Sequence, residues 1–165
     1  MALLTVLTYP DPRLKECAEP VTLFDTELRQ FIANLEETLR VSPGAVGIAA
    51  TQVGRLQRIV LVDVSSKPKI KQHGRLILIN PEIQSWDGMV KGREGCMSVP
   101  DFTGNVIRAE RITIKAHDEH GSEHSYDMEG YEARAVQHEC DHLDGLLFLD
   151  RLVSRRHDLF PRQKK

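Results

Sequence analysis

Cysteine is scarce in this chain, with 3 among 165 residues. An odd number at irregular spacing argues against a disulfide framework and for a reducing compartment. Cys17, Cys96 and Cys140 form no CxxC pair, which removes the zinc-finger class. No apolar run reaches membrane-spanning length, and Met1-Ala2-Leu3-Leu4 lacks the basic start and long apolar core of a signal peptide. A soluble, cytoplasmic protein with no membrane partner is expected. Charge of one sign is lacking too: 22 Lys+Arg against 24 Asp+Glu leave no field that would draw DNA or a membrane surface. Repeats, low-complexity tracts and linkers are absent. What this length supports is a single catalytic domain over residues 1–165, large enough to bury a core of its own, expected as a monomer.

The hydrophobic pattern that is present reads as α+β. Leu28, Phe31, Ile32, Leu35 and Leu39 fall at helical spacing between about Asp25 and Val41, with Asp25 or Thr22 as candidate caps and Ser42-Pro43-Gly44 as the stop. Ile59 to Val64 and Leu76 to Ile79 read as strands, with an exposed polar loop from Ser65 to Arg75 between them. Arg111 to Ala116 alternates as a strand should, and Glu119-His120-Gly121-Ser122 is a hairpin signal. His117, His120 and His124 crowd that hairpin and read as a wet polar turn. Val153 to Phe160 reads as a short C-terminal helix, followed by a basic tail to Lys165.

His138-Glu139-Cys140-Asp141-His142 is an HExxH motif inside a stretch, Tyr131 to Leu143, that reads as helix. Residues four apart on a helix sit one turn above each other, offset by roughly 40°, so both imidazoles can reach one metal ion. Glu139, about 100° further round, is placed to handle the proton of a water activated by that ion. A solvated helix face is the bland alternative. A catalytic site needs a third ligand. Downstream, Gly145 occupies the glycine of an HExxHxxGxxH pattern, but its last position is Phe148. No Glu follows Glu139, and His157, Asp150 and Asp158 are weaker candidates. The third ligand is therefore sought upstream, where Glu94-Gly95-Cys96-Met97-Ser98-Val99-Pro100 stands out. A Cys96 thiolate suits zinc or ferrous iron; a small buried apolar Cys96 fits the same spacing equally well. Cys140 points about 200° away from the two imidazoles and reads as core.

Three motifs together resemble the peptide deformylases. Gln137 to Gly145 matches that family's QHExDHLxG, Glu94 to Ser98 matches EGCxS, and Gly47-Ile48-Ala49-Ala50-Thr51-Gln52 matches the GxAAxQ part of GxGxAAxQ. Tyr9-Pro10-Asp11-Pro12-Arg13-Leu14 is similar to the family's opening. The resemblance runs from about residue 5 to 152. It implies mixed or antiparallel sheets packed around a central helix that carries HExxH, and hydrolysis of the formyl group from N-formylmethionyl nascent peptides near the ribosome exit. It implies one divalent metal per chain held by Cys96, His138 and His142, with Fe(II) the working ion and Zn, Ni or Co able to replace it. Glu139 would be the general base, with the Gln52 amide and the Met97 backbone N–H as oxyanion donors. Val46, Gly47 and Gly95 would offer backbone groups to an extended peptide. Tyr131, Ala135 and the stem of Arg134 would line the methionine pocket, and Glu94 with Arg108 would form a supporting ion pair.

Two positions depart from the family pattern. Ala45 stands where GxGxAAxQ begins with Gly, a residue that permits unusual backbone angles. Thr103 stands where many relatives carry Arg. Two rival readings are an HExxH metallopeptidase, against which the missing downstream ligand argues, and a catalytically weak deformylase-like binding protein, which Ala45 alone favours. Lys164 and Lys165 are the residues that could touch an acidic surface such as ribosomal RNA.

Overall fold

Asp25, in extended conformation, accepts a hydrogen bond from the Leu28 N–H at 2.9 Å and so caps helix α1, Thr26–Arg40. This is the helix expected from the spacing, and it ends at the expected stop, where the Ser42 hydroxyl donates to the Thr38 carbonyl. A computed structural model describes residues 2–67 and 69–162 of the chain. Within it α1 lays its buried stripe, Leu28, Ile32, Leu35 and Leu39, on one face of a sheet.

That sheet has the order β1 (Gly47–Ala49), β2 (Ile59–Asp63), β3 (Arg75–Asp87), β6 (Arg111–His117), β7 (Glu123–Glu129), every ladder antiparallel. Ile59 and Leu61 of β2 face α1, as do Ile77 and Ile79 of β3. Their neighbours Val60, Val62, Leu76 and Leu78 face the other way, onto the second helix, α2, Gly130–Leu143. Burial on both faces is why these strands are unbroken apolar runs in the sequence. β6 alternates instead, burying Ile112, Ile114 and Ala116 while Arg111, Thr113 and Lys115 face outward. The hairpin after it closes at Asp118, whose carboxylate accepts the His120 and Ser122 N–H groups and pairs with His124. His120 and His124 belong to a polar turn, as expected, whereas His117 ends β6 and packs against the Phe24 ring, its Nδ1 buried without a partner among the described residues.

The loop after β2 is less free than its composition suggests. Glu132, buried on the first turn of α2, accepts the His73 backbone N–H and pairs with its ring, both at 2.7 Å, which ties the loop to the helix.

A second sheet runs β4 (Val90–Cys96), β5 (Val99–Arg108), β8 (Leu159–Pro161). β8 corrects the sequence reading of a short C-terminal helix. Chain 155–157 is a turn, and Leu159 to Pro161 pair with Gly104 to Phe102 of β5. Eight residues are too few for a stable isolated helix, whereas the open edge of β5 offers unpaired backbone groups that the tail satisfies. Lys164 and Lys165 lie outside the described residues. No helix among the described residues is long and apolar enough to cross a membrane.

Leu35 has no exposed surface, while Leu23 is 68 % exposed. Leu35→Ala should destabilise the fold by about 2–5 kcal/mol through lost burial and the cavity left behind, lowering the melting temperature by roughly 4–20 °C. Leu23→Ala should stay within about 0.5 kcal/mol of the parent. Thermal unfolding of both variants checks the placement of α1 against the sheet.

Candidate metal and active site

α2 presents His138 and His142 one turn apart on its buried face, with ring centroids 5.1 Å apart. β4 reaches them from the second sheet. Its register shifts between Gly95 and Cys96, an irregularity of the kind that re-aims a side chain, and Cys96 Sγ lies 3.3 Å from His142 Nε2. One donor atom each from Cys96, His138 and His142 falls within 4.8 Å of the others, and all three residues are buried. A sulfur and two imidazole nitrogens at this spacing suit a first-row divalent ion.

Their surroundings set the two imidazoles apart. Burial acts to lower the His138 pKa, yet hydrogen bonds to Cys96 and Glu94 hold it well above the ordinary value. His142 is pushed well below by burial and by the charge of His138 beside it.

Glu94 sets the orientation of His138. Its buried carboxylate accepts four hydrogen bonds: from Arg108 Nε and Nη2, both at 2.9 Å, from Arg134 Nη1 at 2.6 Å, and from His138 Nδ1 at 2.9 Å. Burial alone would raise its pKa, but the Arg108 guanidinium and His138 hold it well below the usual carboxylate range. A charged acceptor at Nδ1 leaves Nε2 of His138 for the cluster. Arg108 also bonds Asp141 at 2.5 Å, and Asp141 accepts from Arg151 Nη2 at 3.0 Å.

Glu139 is buried beside this cluster. Its Oε1 has no hydrogen-bond partner among the described residues and lies 3.9 Å from His142 Nε2. Burial pushes its pKa up to about 7, in the range suited to a general base near neutral pH. Gly47 is what lets β1 pass here: a Cβ at that position would meet Glu139 Oε2 at 2.7 Å and Cγ at 2.8 Å. Gln52 follows in the 3₁₀ turn Ala50–Val53. Its Oε1 accepts the Ala49 N–H at 2.9 Å, which fixes the amide so that Nε2 donates to Ser98 Oγ at 3.0 Å and lies 3.5 Å from Cys96 Sγ.

A cavity of about 430 Å³ opens over these groups. Ala45, Val46 and Gly47 form one wall, Gly95, Cys96 and Met97 the other, and Tyr131, Arg134, Ala135, His138 and Glu139 of α2 line it from below. The site residues that the family resemblance picks out are thus gathered here, in the cavity wall or in the hydrogen-bonded layer behind it. Ala45 carries no backbone strain: Asn80 is the one non-glycine with positive φ among the described residues, and Gly44 holds the left-handed position in this loop. Cys140 packs against the core and burial pushes its thiol up to about 12; Cys17 is exposed. Sequence reasoning missed Asp141, Ser98 and the ionic role of the Arg134 head. Asp141 had a visible signal inside QHExDHLxG, and Ser98 one inside EGCxS. The partners of Arg134, on β4 and β5, had none.

The family model described as polypeptide deformylase matches residues 3–158. A peptide deformylase from Wolinella succinogenes is 42% identical over 164 residues, covering 99% of this chain and 96% of that protein. One from Alkalilimnicola ehrlichii is 46% identical over 152 residues, covering 92% and 83%. Among solved structures, the peptide deformylase from Ehrlichia chaffeensis in complex with actinonin superposes with a TM-score of 0.87 at 34% identity, covering 94% of this chain and 92% of that one. With a match along nearly its whole length and the three motifs gathered at one buried cluster, the chain belongs to the polypeptide deformylase family.

Proposed function

We propose that this protein hydrolyses the formyl group from the N-terminus of N-formylmethionyl nascent polypeptides, releasing formate and a peptide with a free N-terminal Met. The observation that carries this reading is the buried Cys96, His138 and His142 cluster with the unpartnered Glu139 oxygen at its side, at the floor of a cleft between two strands.

Cys96, His138 and His142 would hold one divalent ion per chain. When bound, it supplies Lewis-acid polarisation of the formyl carbonyl and acidifies a water towards a pKa of ~7. Glu139 takes the proton of the attacking water at its free Oε1 and returns it to the leaving amine nitrogen as the C–N bond breaks. The Gln52 amide and the Met97 backbone N–H steady the charge that grows on the formyl oxygen. Val46, Gly47 and Gly95 hold the extended peptide by backbone hydrogen bonds in the manner of strand addition. The Val46 carbonyl already accepts the Asp63 N–H at 2.8 Å, which leaves it one lone pair for a substrate. Tyr131, Ala135 and the stem of Arg134 receive the methionine side chain, and Glu94 with Arg108 keeps His138 in position.

Fe(II) is the working ion in this proposal, with zinc, nickel or cobalt able to take the same donors. The protein acts as a cytoplasmic single-domain monomer, on chains emerging from the ribosome.

Formate release from formyl-Met-Ala-Ser tests the activity; cleavage of internal peptide bonds without formate release would replace it with an endopeptidase. Glu139→Ala should keep about one metal per chain and lose at least ~10²–10⁴-fold in turnover, measured by metal analysis and formate assay together. Formate release near the parent rate would remove Glu139 from the mechanism. Cys96→Ala should lose metal on gel filtration, whereas Cys17→Ala and Cys140→Ala retain it. A Cys96→Ala protein that binds metal as tightly as the parent would return Cys96 to the core.

A further inference from the structure

β4 alternates sharply. Glu94 and Cys96 are buried towards α2, while Arg93 and Gly95 are exposed on the opposite face. Across the second sheet Gly95 pairs with Thr103, and Thr103 pairs with Phe160 of β8. Residues that pair directly share a face, so Arg93, Gly95, Thr103 and Phe160 form one continuous surface at the cavity's outer end. Arg162, two residues beyond Phe160, returns to this surface. Its backbone N–H donates to the Asp101 carbonyl at 2.8 Å, and its guanidinium lies over Gly95 so closely that a Cβ there would meet Nη2 at 2.7 Å. Arg93 stacks on the Phe160 ring, 3.8 Å from the centroid. Both arginines line the cavity that holds Cys96, His138 and Glu139.

Among the described residues these two cations have no acidic partner. Arg93 donates only to neutral acceptors, Asn105 Oδ1 at 3.3 Å and Thr103 Oγ1 at 3.4 Å. Of the carboxylates lining the cavity, Glu94 is engaged by Arg108, Arg134 and His138, and Glu139 is buried at the metal cluster. Asp101, next to Arg162 across the strand pair, forms no ion pair with either guanidinium among the described residues. Each guanidinium therefore keeps donors in a fork suited to a carboxylate. Arg93 is three residues along β4 from Cys96, roughly 10 Å at strand rise. An extended peptide whose formyl group sits at the cluster covers that distance by its third residue.

We propose that Arg162 and Arg93 form a specificity subsite that favours substrates bearing an acidic side chain at the third residue of the formylated peptide. The inference rests on the deformylase reading above. A nascent chain has its C-terminal end far from the enzyme, so the carboxylate that reaches this subsite comes from Asp or Glu. In a free tripeptide it can also come from the terminus.

The test is kcat/KM of the metal-loaded enzyme on formyl-Met-Ala-Glu-amide, formyl-Met-Ala-Gln-amide and formyl-Met-Ala-Lys-amide, with the free-acid Gln tripeptide as a separate arm. The Glu amide should exceed the Gln amide about fivefold at low salt, as expected for partly exposed ion pairs, with the Lys amide slowest. The preference should shrink as ionic strength rises. Arg162→Gln should move the Glu-to-Gln ratio towards one, and Arg162→Glu should invert the order in favour of Lys. Equal rates on all three amides would overturn the subsite while leaving the deformylase activity standing. A gain for the free acid without one for the Glu amide would overturn the side-chain assignment. No formate from any peptide would overturn both readings.

Discussion

A single buried carboxylate joins the two halves of the active region. Glu94 on β4 is held by Arg108 on β5 and by Arg134 and His138 on α2. Its two oxygens thereby fix the second sheet to the helix that carries HExxH. An isolated ionised carboxylate would be very costly in such a place; four charge-assisted hydrogen bonds are what make it tolerable. The arrangement also decides chemistry, because it fixes which nitrogen of His138 faces Cys96 and His142. Loss of one member of such a buried network typically costs ~3–5 kcal/mol, so position 94 governs folding and ligand geometry together.

The sheet geometry explains the rest of the site. α1 and α2 cover opposite faces of the five-stranded sheet, which leaves the β1 edge running past the buried end of α2. Glu139 projects against that edge, and Gly47 allows the approach. The Gln52 amide is aimed from the same segment, because its oxygen is tied to the N–H of Ala49, the last residue of β1. Cleft wall, Glu139 carboxylate and Gln52 amide thus come from one short stretch of chain and one helix turn. Their relative positions depend on packing that buries both faces of β2 and β3.

Local patterns made much of this readable. The α1 stripe, the apolar runs of β2 and β3, the alternation in β6 and the helix under HExxH all express periodicities of a few residues. The juxtaposition of His138 and His142, with Glu139 between them, follows from the same helical spacing. Cys96 was different: spacing left it balanced between ligand and core, and only its 3.3 Å approach to His142 Nε2 places it in the cluster. The C-terminal segment failed for a related reason. Apolar positions between Val153 and Phe160 fit a helix turn, but the partner that decided their conformation is the edge of β5, 55 to 59 residues earlier in the chain.

The sequence by itself determined α1, the strands β2, β3 and β6, the helix that carries HExxH and the family, since each is carried by residue types at fixed short spacing. Tertiary structure alone decided the four-fold engagement of Glu94, the fit of β1 against Glu139 and the placing of Arg162 over Gly95. Those contacts join residues 40 or more apart for Glu94 and Arg134, and 67 apart for Gly95 and Arg162. Their energies come from burial, charge pairing and strand registration between distant segments, none of which leaves a periodic trace in the chain.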